Sequence, residues 1–494
     1  MLLLGLDIGT SSIKASIVDA QTKQVVSSAQ YPDIETSISS PQPGWAEQDP
    51  EMWWANVQKA IERVNASGKF DPKDIASIGI SYQMHGLVMV DKNKKVLRPS
   101  IIWCDSRAVE IGNKAFEAIG AEKALSHLLN SPGNFTASKL AWVKANEPQI
   151  FDQAYKIMLP GDYISMMLTG EITASNSGLS EGIFWDFVTN SVSEDVLKHY
   201  GFSRDLIPEI KPVFSNHGEV TSDIASQLGL KAGIPVAYKA GDQPNNALSL
   251  NVLNPGEIAA TAGTSGVVYA VSDQVSYDPQ SRINSFAHVN HQQDDQTRVG
   301  ILLCINGTGI LNRWVKENVA KNLSYQEMNA KASEIAVGSQ GLSILPFGNG
   351  AERMLSNKLI GSNIIGLDFN THADAHIYRA AQEGIAFSLK YGFDMMQNNG
   401  VEPKVIRAGQ ANMFLSSVFS ESLVNSTQTP VELYDTDGAK GAALGGGYGA
   451  GLFASLSETM HGLTLLKTIE PDPAQAGAYA AAYDLWKNEL EKLI

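Results

Sequence analysis

The stretch 258–270, IAATAGTSGVVYA, decides how this chain is read, because it repeats, at an offset of 254 residues, the opening 4–16, LGLDIGTSSIKAS. In both copies a short apolar run reaches Gly-Thr-Ser, turns, and resumes as a second apolar run of strand character. The spacing predicts two hairpins, each early in its own half of a duplicated chain. The copies differ at one place: Asp7 stands two residues before Gly9, whereas Thr261 stands two before Gly263. The turn is needed twice and the carboxylate once.

At 494 residues the chain exceeds what a single core fills, since cores stop growing near roughly 250–300 residues. Two domains are expected, 1–250 and 251–494. Hydrophobic residues make up 44% and charged residues 18%, a globular composition, and the formal net charge is −15. An acidic chain without basic clusters is a poor partner for nucleic acid or for an anionic membrane. A local anion pocket remains available, because backbone N–H groups at turns supply positive potential without net charge. Cys104 and Cys304 have no metal-ligand spacing and no disulfide framework around them, which fits a reducing compartment. The apolar run MLLL is too short for a secretory signal, so a cytoplasmic protein is expected.

Along the first half, LLLGLD, KASIVD and VVSSAQY read as a meander of three strands. A helix follows, with Asp49 as its cap, Pro50 in its first turn, and Trp53, Val57, Ile61 and Val64 at helical spacing. DIASIGIS (74–81) reads as a buried strand. Strand, strand, strand, helix, strand opens a ribonuclease-H-like fold. The fold class expected is therefore α/β, with two ribonuclease-H-like domains and a central cleft. IPVAYKAGDQ gives another buried strand ending at Gly241-Asp242, KVIRAGQANMF a strand running into a glycine turn, and KGAALGGGYGAGLFA a small-residue helix of the second half.

A glycine-led turn with hydroxyl neighbours offers the convergent donors that a phosphate oxygen requires. Either turn alone reads first as an ordinary hairpin, but two copies in a duplicated chain could grip one polyphosphate from both sides. Thr10 and Ser11 in the first turn, and Gly263, Thr264 and Ser265 in the second, are thus candidate ATP-binding residues. A single Mg²⁺ bridging the phosphates needs one or two carboxylates, and Asp7 is the candidate metal ligand. No Walker A pattern is present.

These residues carry a resemblance. GLDIGTSSIK resembles the first phosphate turn of the actin, Hsp70 and sugar-kinase superfamily. PGWAEQDPEMWW, QMHG (83–86), IIWCDSR (101–107), FTASKLAWV (135–143), AGDQ (240–243), AGTSG (262–266), LPFGNGAER (345–353) and KGAALGGGYGA (440–450) arrive in the order of its FGGY carbohydrate kinase branch, over essentially the whole chain. Within that branch, QMHG and WAEQDPEMWW are most similar to xylulokinases. The resemblance implies an ATP- and Mg²⁺-dependent kinase acting on a small sugar, D-xylulose first among the candidates; a homodimer is compatible with it.

A sugar kinase must remove a proton from a hydroxyl as the phosphoryl group arrives, and a carboxylate does this. The resemblance gives that role to Asp242, although an aspartate before Pro244 also suits a helix cap. It gives the sugar to Met84, His85, Trp103, Asp105 and Gln243, with Asp105 and Arg107 equally able to pair with each other. It gives the adenosine to Gly409, Asn412 and Gly441, with close helix packing as the other reading of GAALGGG. Three positions depart from the family pattern: Gln243 stands where xylulokinases usually have asparagine and glycerol kinases glutamine, Cys104 where asparagine is usual, and Gln410 where glycine is common. Another ketose or a polyol is the alternative substrate, and a nucleotide-driven conformational switch the alternative class.

Overall fold

The computed structural model describes residues 1–494, which form two compact units. The first comprises 1–251, 286–299 and 436–463; the second comprises 252–285, 300–435 and 464–494. No helix is long and apolar enough to cross a membrane.

The first unit opens with β1 (Leu2–Ile8), β2 (Ile13–Asp19), β3 (Val25–Tyr31), α1 (Pro50–Asn65) and β4 (Ile75–Tyr82), and later adds β5 (Val236–Gly241), which runs directly into α2 (Asp242–Ser249). Its sheet has the order β5-β4-β1-β2-β3. β1 pairs antiparallel with β2 and parallel with β4, and β5 pairs parallel with β4. Asp49 caps α1 as expected, accepting a hydrogen bond from the Glu51 N–H, with Pro50 following. The apolar stripe Trp53, Val57, Ile61 and Val64 is buried with Leu4, Leu6, Ile17, Ile78 and Ile80. Each such side chain contributes about 1.5–3 kcal/mol by leaving water.

The second unit repeats this pattern. It contains β6 (Glu257–Ala262), β7 (Gly266–Ser272), β8 (Val299–Ile305), α3 (Gly309–Asn318), β9 (Val405–Gly409), β10 (Val431–Tyr434) and β11 (Leu465–Ile469). The sheet has seven strands, with Asn284–Ala287 at one edge followed by β8-β7-β6-β9-β10-β11, the same order as in the first unit with one strand added at each edge. β6 is antiparallel to β7 and parallel to β9, which is parallel to β10. The last helix, Ala476–Glu491, buries Tyr479, Tyr483, Trp486 and Leu490 along one face.

Residues 436–463, read from the sequence as part of the second half, pack with the first unit. Their helix Gly438–Gly449 lies against the backbones of β1 and β4. A Cβ on Gly79 would lie 1.8 Å from the Ala442 carbonyl oxygen, so only glycine allows this approach. The small residues are a packing surface.

Candidate active site

In the first unit the ends of β1 and β5 carry the acidic residues singled out by sequence. Asp7 faces Ser81 across the β1–β4 pair and accepts a hydrogen bond from Ser81 Oγ at 2.8 Å. Asp242 follows the last residue of β5 and begins α2. Both are partly accessible, so a solute can reach them. Burial and the neighbouring Asp7 charge push the Asp242 carboxyl up to about 7, against hydrogen bonds from the Gln243 backbone and side chain. Asp7 is also raised, first by burial; Ser81 and Lys14 favour its charged form and Asp437 opposes it. Lys14, paired with Asp7 in the β1–β2 register, forms an ion pair with Asp437, and Asp437 caps the helix Gly438–Gly449 at the Lys440 N–H.

A cation fits this arrangement. The Asp437 charge adds to the negative potential at Asp7, the hard oxygen donors are those a divalent ion prefers, and Ser81 orients one Asp7 oxygen. When bound, Mg²⁺ would neutralise developing phosphate charge, with Asp7 as its protein ligand.

The turn after β1 is tied to the rest of the site. Gly9 N–H closes it on the Ser12 carbonyl, and Thr10 Oγ1 donates to Gln83 Oε1 at 3.2 Å while accepting from Trp103 Nε1 at 2.9 Å. Ser11 is exposed at the tip. Trp103 is half exposed, which leaves a face of its indole available.

Met84 and His85 follow β4. Met84 is buried against the end of β5, where a Cβ on Gly241 would lie 2.6 Å from Met84 Cγ. His85 has φ +62°, a left-handed conformation that a non-glycine residue adopts only when its surroundings enforce it. Those surroundings are explicit. Its N–H donates to Glu181 Oε2 at 3.2 Å, and its ring Nδ1 lies 3.0 Å from the Glu181 carbonyl oxygen, to which it donates. Its own carbonyl accepts from Lys139 Nζ at 2.8 Å and Thr136 Oγ1 at 3.2 Å. The ring meets Phe135 edge-on at 4.8 Å and Phe286 at 5.4 Å. Lys139 is fully buried, and desolvation brings its ammonium down to about 7 despite the nearby Asp105 charge. Burial likewise holds Glu181 well above the carboxylate range, against hydrogen bonds from Tyr82 and the His85 N–H.

Asp105 is not free to meet a sugar. It is 1% exposed and accepts from the Ala46 N–H at 2.6 Å, the Arg107 N–H at 2.8 Å, and Arg107 Nε and Nη2 at 2.9 and 2.7 Å. Arg107 also pairs with Glu47 at 2.7 Å and lies 3.8 Å from the Trp45 ring centroid. The alternative reading holds: the pair is a buried staple, and Asp105 supports the site through Arg107 and its charge beside Lys139. Gly441 is held close as well: a Cβ there would lie 2.5 Å from Ser249 Cβ, so this glycine serves helix packing.

In the second unit the Gly-Thr-Ser turn opens into a cavity of about 350 Å³. Gly263, Thr264 and Asn412 line it, joined by the first turn of α3 (Gly309, Ile310, Asn312, Arg313) and by Tyr325, Asn329, Met413 and Leu415. Gly309 N–H donates to the Gly263 carbonyl at 2.9 Å and Ile310 N–H to the Thr264 carbonyl at 3.1 Å, so turn and helix start form one piece. A Cβ on Gly309 would lie 2.1 Å from the Gly263 oxygen. Ser265 is exposed at the turn, and Gly409 ends β9; neither lines the cavity.

Sequence reading missed Lys14, Gln83, Lys139, Glu181, Asp437, Arg313 and Tyr325. Lys139 carries a signal in the sequence, a lysine flanked by Ala137, Leu140, Ala141 and Val143 in FTASKLAWV. Glu181 and Asp437 gave none.

Two α/β units of repeated strand order, one with carboxylates at its strand ends and the other with a turn-lined cavity, have the architecture of the ribonuclease-H-like class. The family models of the FGGY carbohydrate kinases, N-terminal and C-terminal domains, match residues 2–249 and 258–450, and the chain belongs to that family of ATP-dependent carbohydrate kinases. It is 27% identical to the xylulose kinase of Escherichia coli K12 over 497 residues, covering 99% of each chain. Among solved structures it resembles the xylulose kinase of Rhodospirillum rubrum, at 26% identity and a TM-score of 0.89 over 100% of this chain and 99% of that one. A gluconate kinase from Lactobacillus acidophilus, at 23% identity and a TM-score of 0.89 over 100% of this chain and 98% of that one, shares the fold.

Proposed function

We propose that this kinase transfers the γ-phosphoryl group of ATP, as its Mg²⁺ complex, to the terminal hydroxyl of a ketopentose, D-xylulose before others. The observation that carries the reading is Asp242. It is a reachable carboxyl at a strand end, poised near pH 7, next to Gly241, against which Met84 packs. A general base works best when its pKa lies near the working pH.

In the reaction, the substrate O–H passes its proton to an Asp242 oxygen as the new O–P bond forms, and the bond from Pγ to the β–γ bridging oxygen breaks to release ADP. His85, Met84, Trp103 and Gln243 hold the sugar. Lys14 and the Thr10–Ser11 turn meet phosphate oxygens, and the cavity around Gly263, Thr264 and Asn412 takes the nucleoside. Similarity to xylulose kinases along the whole chain supports the ketopentose. Gln243 favours a second substrate class, the polyols, because its amide donates to Asp242 and could equally orient a hydroxyl-only ligand.

The test is ADP release with MgATP against D-xylulose, D-ribulose, L-ribulose, L-xylulose, glycerol and gluconate, with Asp242→Ala alongside. Preference for D-xylulose and loss of turnover in the variant support the proposal. Preference for glycerol or gluconate overturns the sugar assignment, and full activity in the variant overturns the base.

A further inference from the structure

We infer that Glu352, in the otherwise unassigned motif LPFGNGAER, is a positioning residue for the nucleotide cavity of the second unit; the inference rests on that cavity's being the nucleoside site. Glu352 is 0% exposed, and its carboxylate closes on the segment Ile305–Gly309 between β8 and α3. Both of its oxygens accept from the Asn306 N–H, at 2.9 and 3.1 Å, and the Gly307 N–H also donates to it. The neighbouring loop completes the grip: Asn306 Nδ2 donates to the Ala351 carbonyl at 3.0 Å, and Asn349 Nδ2 donates to the Asn306 carbonyl at 3.2 Å.

The held segment is the one that fixes the Gly-Thr-Ser turn of the second unit. Immediately after Gly307, Thr308 Oγ1 lies 3.2 Å from the carbonyl oxygens of both Gly263 and Thr264, to which it donates, and the next two N–H groups bind the same two carbonyls. A chain of contacts therefore runs from the carboxylate of Glu352 through Asn306 and Gly307 to Thr308, and from there to the two residues that line the cavity. There is no slack along it. A Cβ on Gly307 would lie 1.7 Å from the Pro346 carbonyl oxygen, so the segment is wedged against backbone on one side and against the turn on the other.

The use of a carboxylate here needs a reason, because burying one is expensive. Burial raises Glu352 to about 7 even with backbone donors favouring its charged form. A carboxylate is the side chain that can accept from two successive backbone N–H groups with two oxygens, which aims both peptide units at once. An amide retains one acceptor and turns an NH₂ group toward the donors. Glu352 thus sets the angle at which α3 leaves the turn, and with it the spacing of Thr264, Ile310 and Arg313 around the nucleoside.

The experiment compares wild-type, Glu352→Gln and Thr308→Val protein by calorimetric titration with MgADP, by KM for MgATP and for sugar, and by thermal melting. The expected result is a rise of about tenfold in the MgADP Kd and the MgATP KM for both variants, with the sugar KM within about twofold of wild type and folding retained. Thr308→Val interrupts the same chain of contacts at another link, so it decides the matter where Glu352→Gln does not fold. Wild-type-like MgADP binding in the folded variants, or equal weakening of sugar and nucleotide, overturns the inference and leaves the kinase reading standing. Failure of the wild-type protein to bind MgADP overturns the cavity assignment and the inference with it.

Discussion

Burial and then the charge of Asp7 lift the Asp242 carboxyl to about 7. A base must be ionised to accept a proton, so activity depends on the fraction of Asp242 that has lost its proton. That fraction falls about tenfold per pH unit below 7. The expected kcat/KM for sugar accordingly declines with unit slope on the acid side of about 7 and levels above it. Asp242→Asn lowers kcat by about 10²–10⁴-fold while leaving MgADP binding intact. A pH–rate series and a nucleotide titration check both, and a flat profile from pH 5.5 to 8 would sink the assignment.

Ser81 is the donor that orients Asp7 and favours its charged form. Replacing it with alanine removes that bond, and the Asp7 carboxyl rises further. The Mg²⁺ concentration for half-maximal rate is expected to increase about tenfold or more in Ser81→Ala, since a hydrogen bond to a charged group is worth about 1.5–3 kcal/mol. The sugar KM stays unchanged. A Mg²⁺ titration at saturating ATP reads the effect, and an unshifted curve counts against Asp7 as the metal ligand.

Lys139 holds the His85 carbonyl from inside the protein, and Lys139→Met leaves that oxygen without its buried donor. We expect the sugar KM to rise about fivefold or more with the nucleotide KM unmoved, since an unsatisfied buried group costs about 1–3 kcal/mol. The variant also carries a pH signature. Native Lys139 loses its proton near 7, whereas the unfolded chain keeps it to the ordinary 10.5. The unfolded state therefore binds more protons in that window, and this group makes stability climb as pH rises through it. Chemical denaturation at pH 7, 8 and 9 should give a shallower climb in Lys139→Met than in wild type.

The glycine-rich helix gives a fourth expectation. Gly79→Ala and Gly441→Val drive a side chain into the Ala442 carbonyl and Ser249, respectively. Overpacking of this kind costs about 1–3 kcal/mol and more where the neighbour is backbone. Melting temperature and soluble yield should fall, while the folded fraction binds MgADP as wild type does. Selective loss of nucleotide affinity in Gly441→Val without loss of stability would restore the adenosine role.

Local rules carried much of the reading. The two Gly-Thr-Ser turns, the strand order around them, the Asp49 cap and the apolar stripe of α1 follow from residues close together in sequence, because hairpins, caps and amphipathic faces are set by neighbours within a few positions. Asp7 and Asp242 were legible for the same reason: a carboxylate ending an apolar strand is anomalous wherever it occurs. Their mutual effect was not, since it depends on β1 and β5 flanking β4 in one sheet.

What the tertiary structure alone decided concerns partners distant in the chain. Lys14 meets Asp437 from 423 positions away, and His85 is held by Glu181 and Lys139 from 96 and 54 positions away. A run of small residues has one appearance whether it faces a nucleotide or a strand, so the packing role of Gly441 emerged only with Ser249 beside it. Asp105 could equally have met a sugar or Arg107, and the closed hydrogen-bond shell around it chose the arginine. Sequence determined the residue types and their local geometry; which charges are buried together, and hence which carboxyl is poised to take a proton, was decided by the fold, because desolvation and Coulomb energy depend on distance in space.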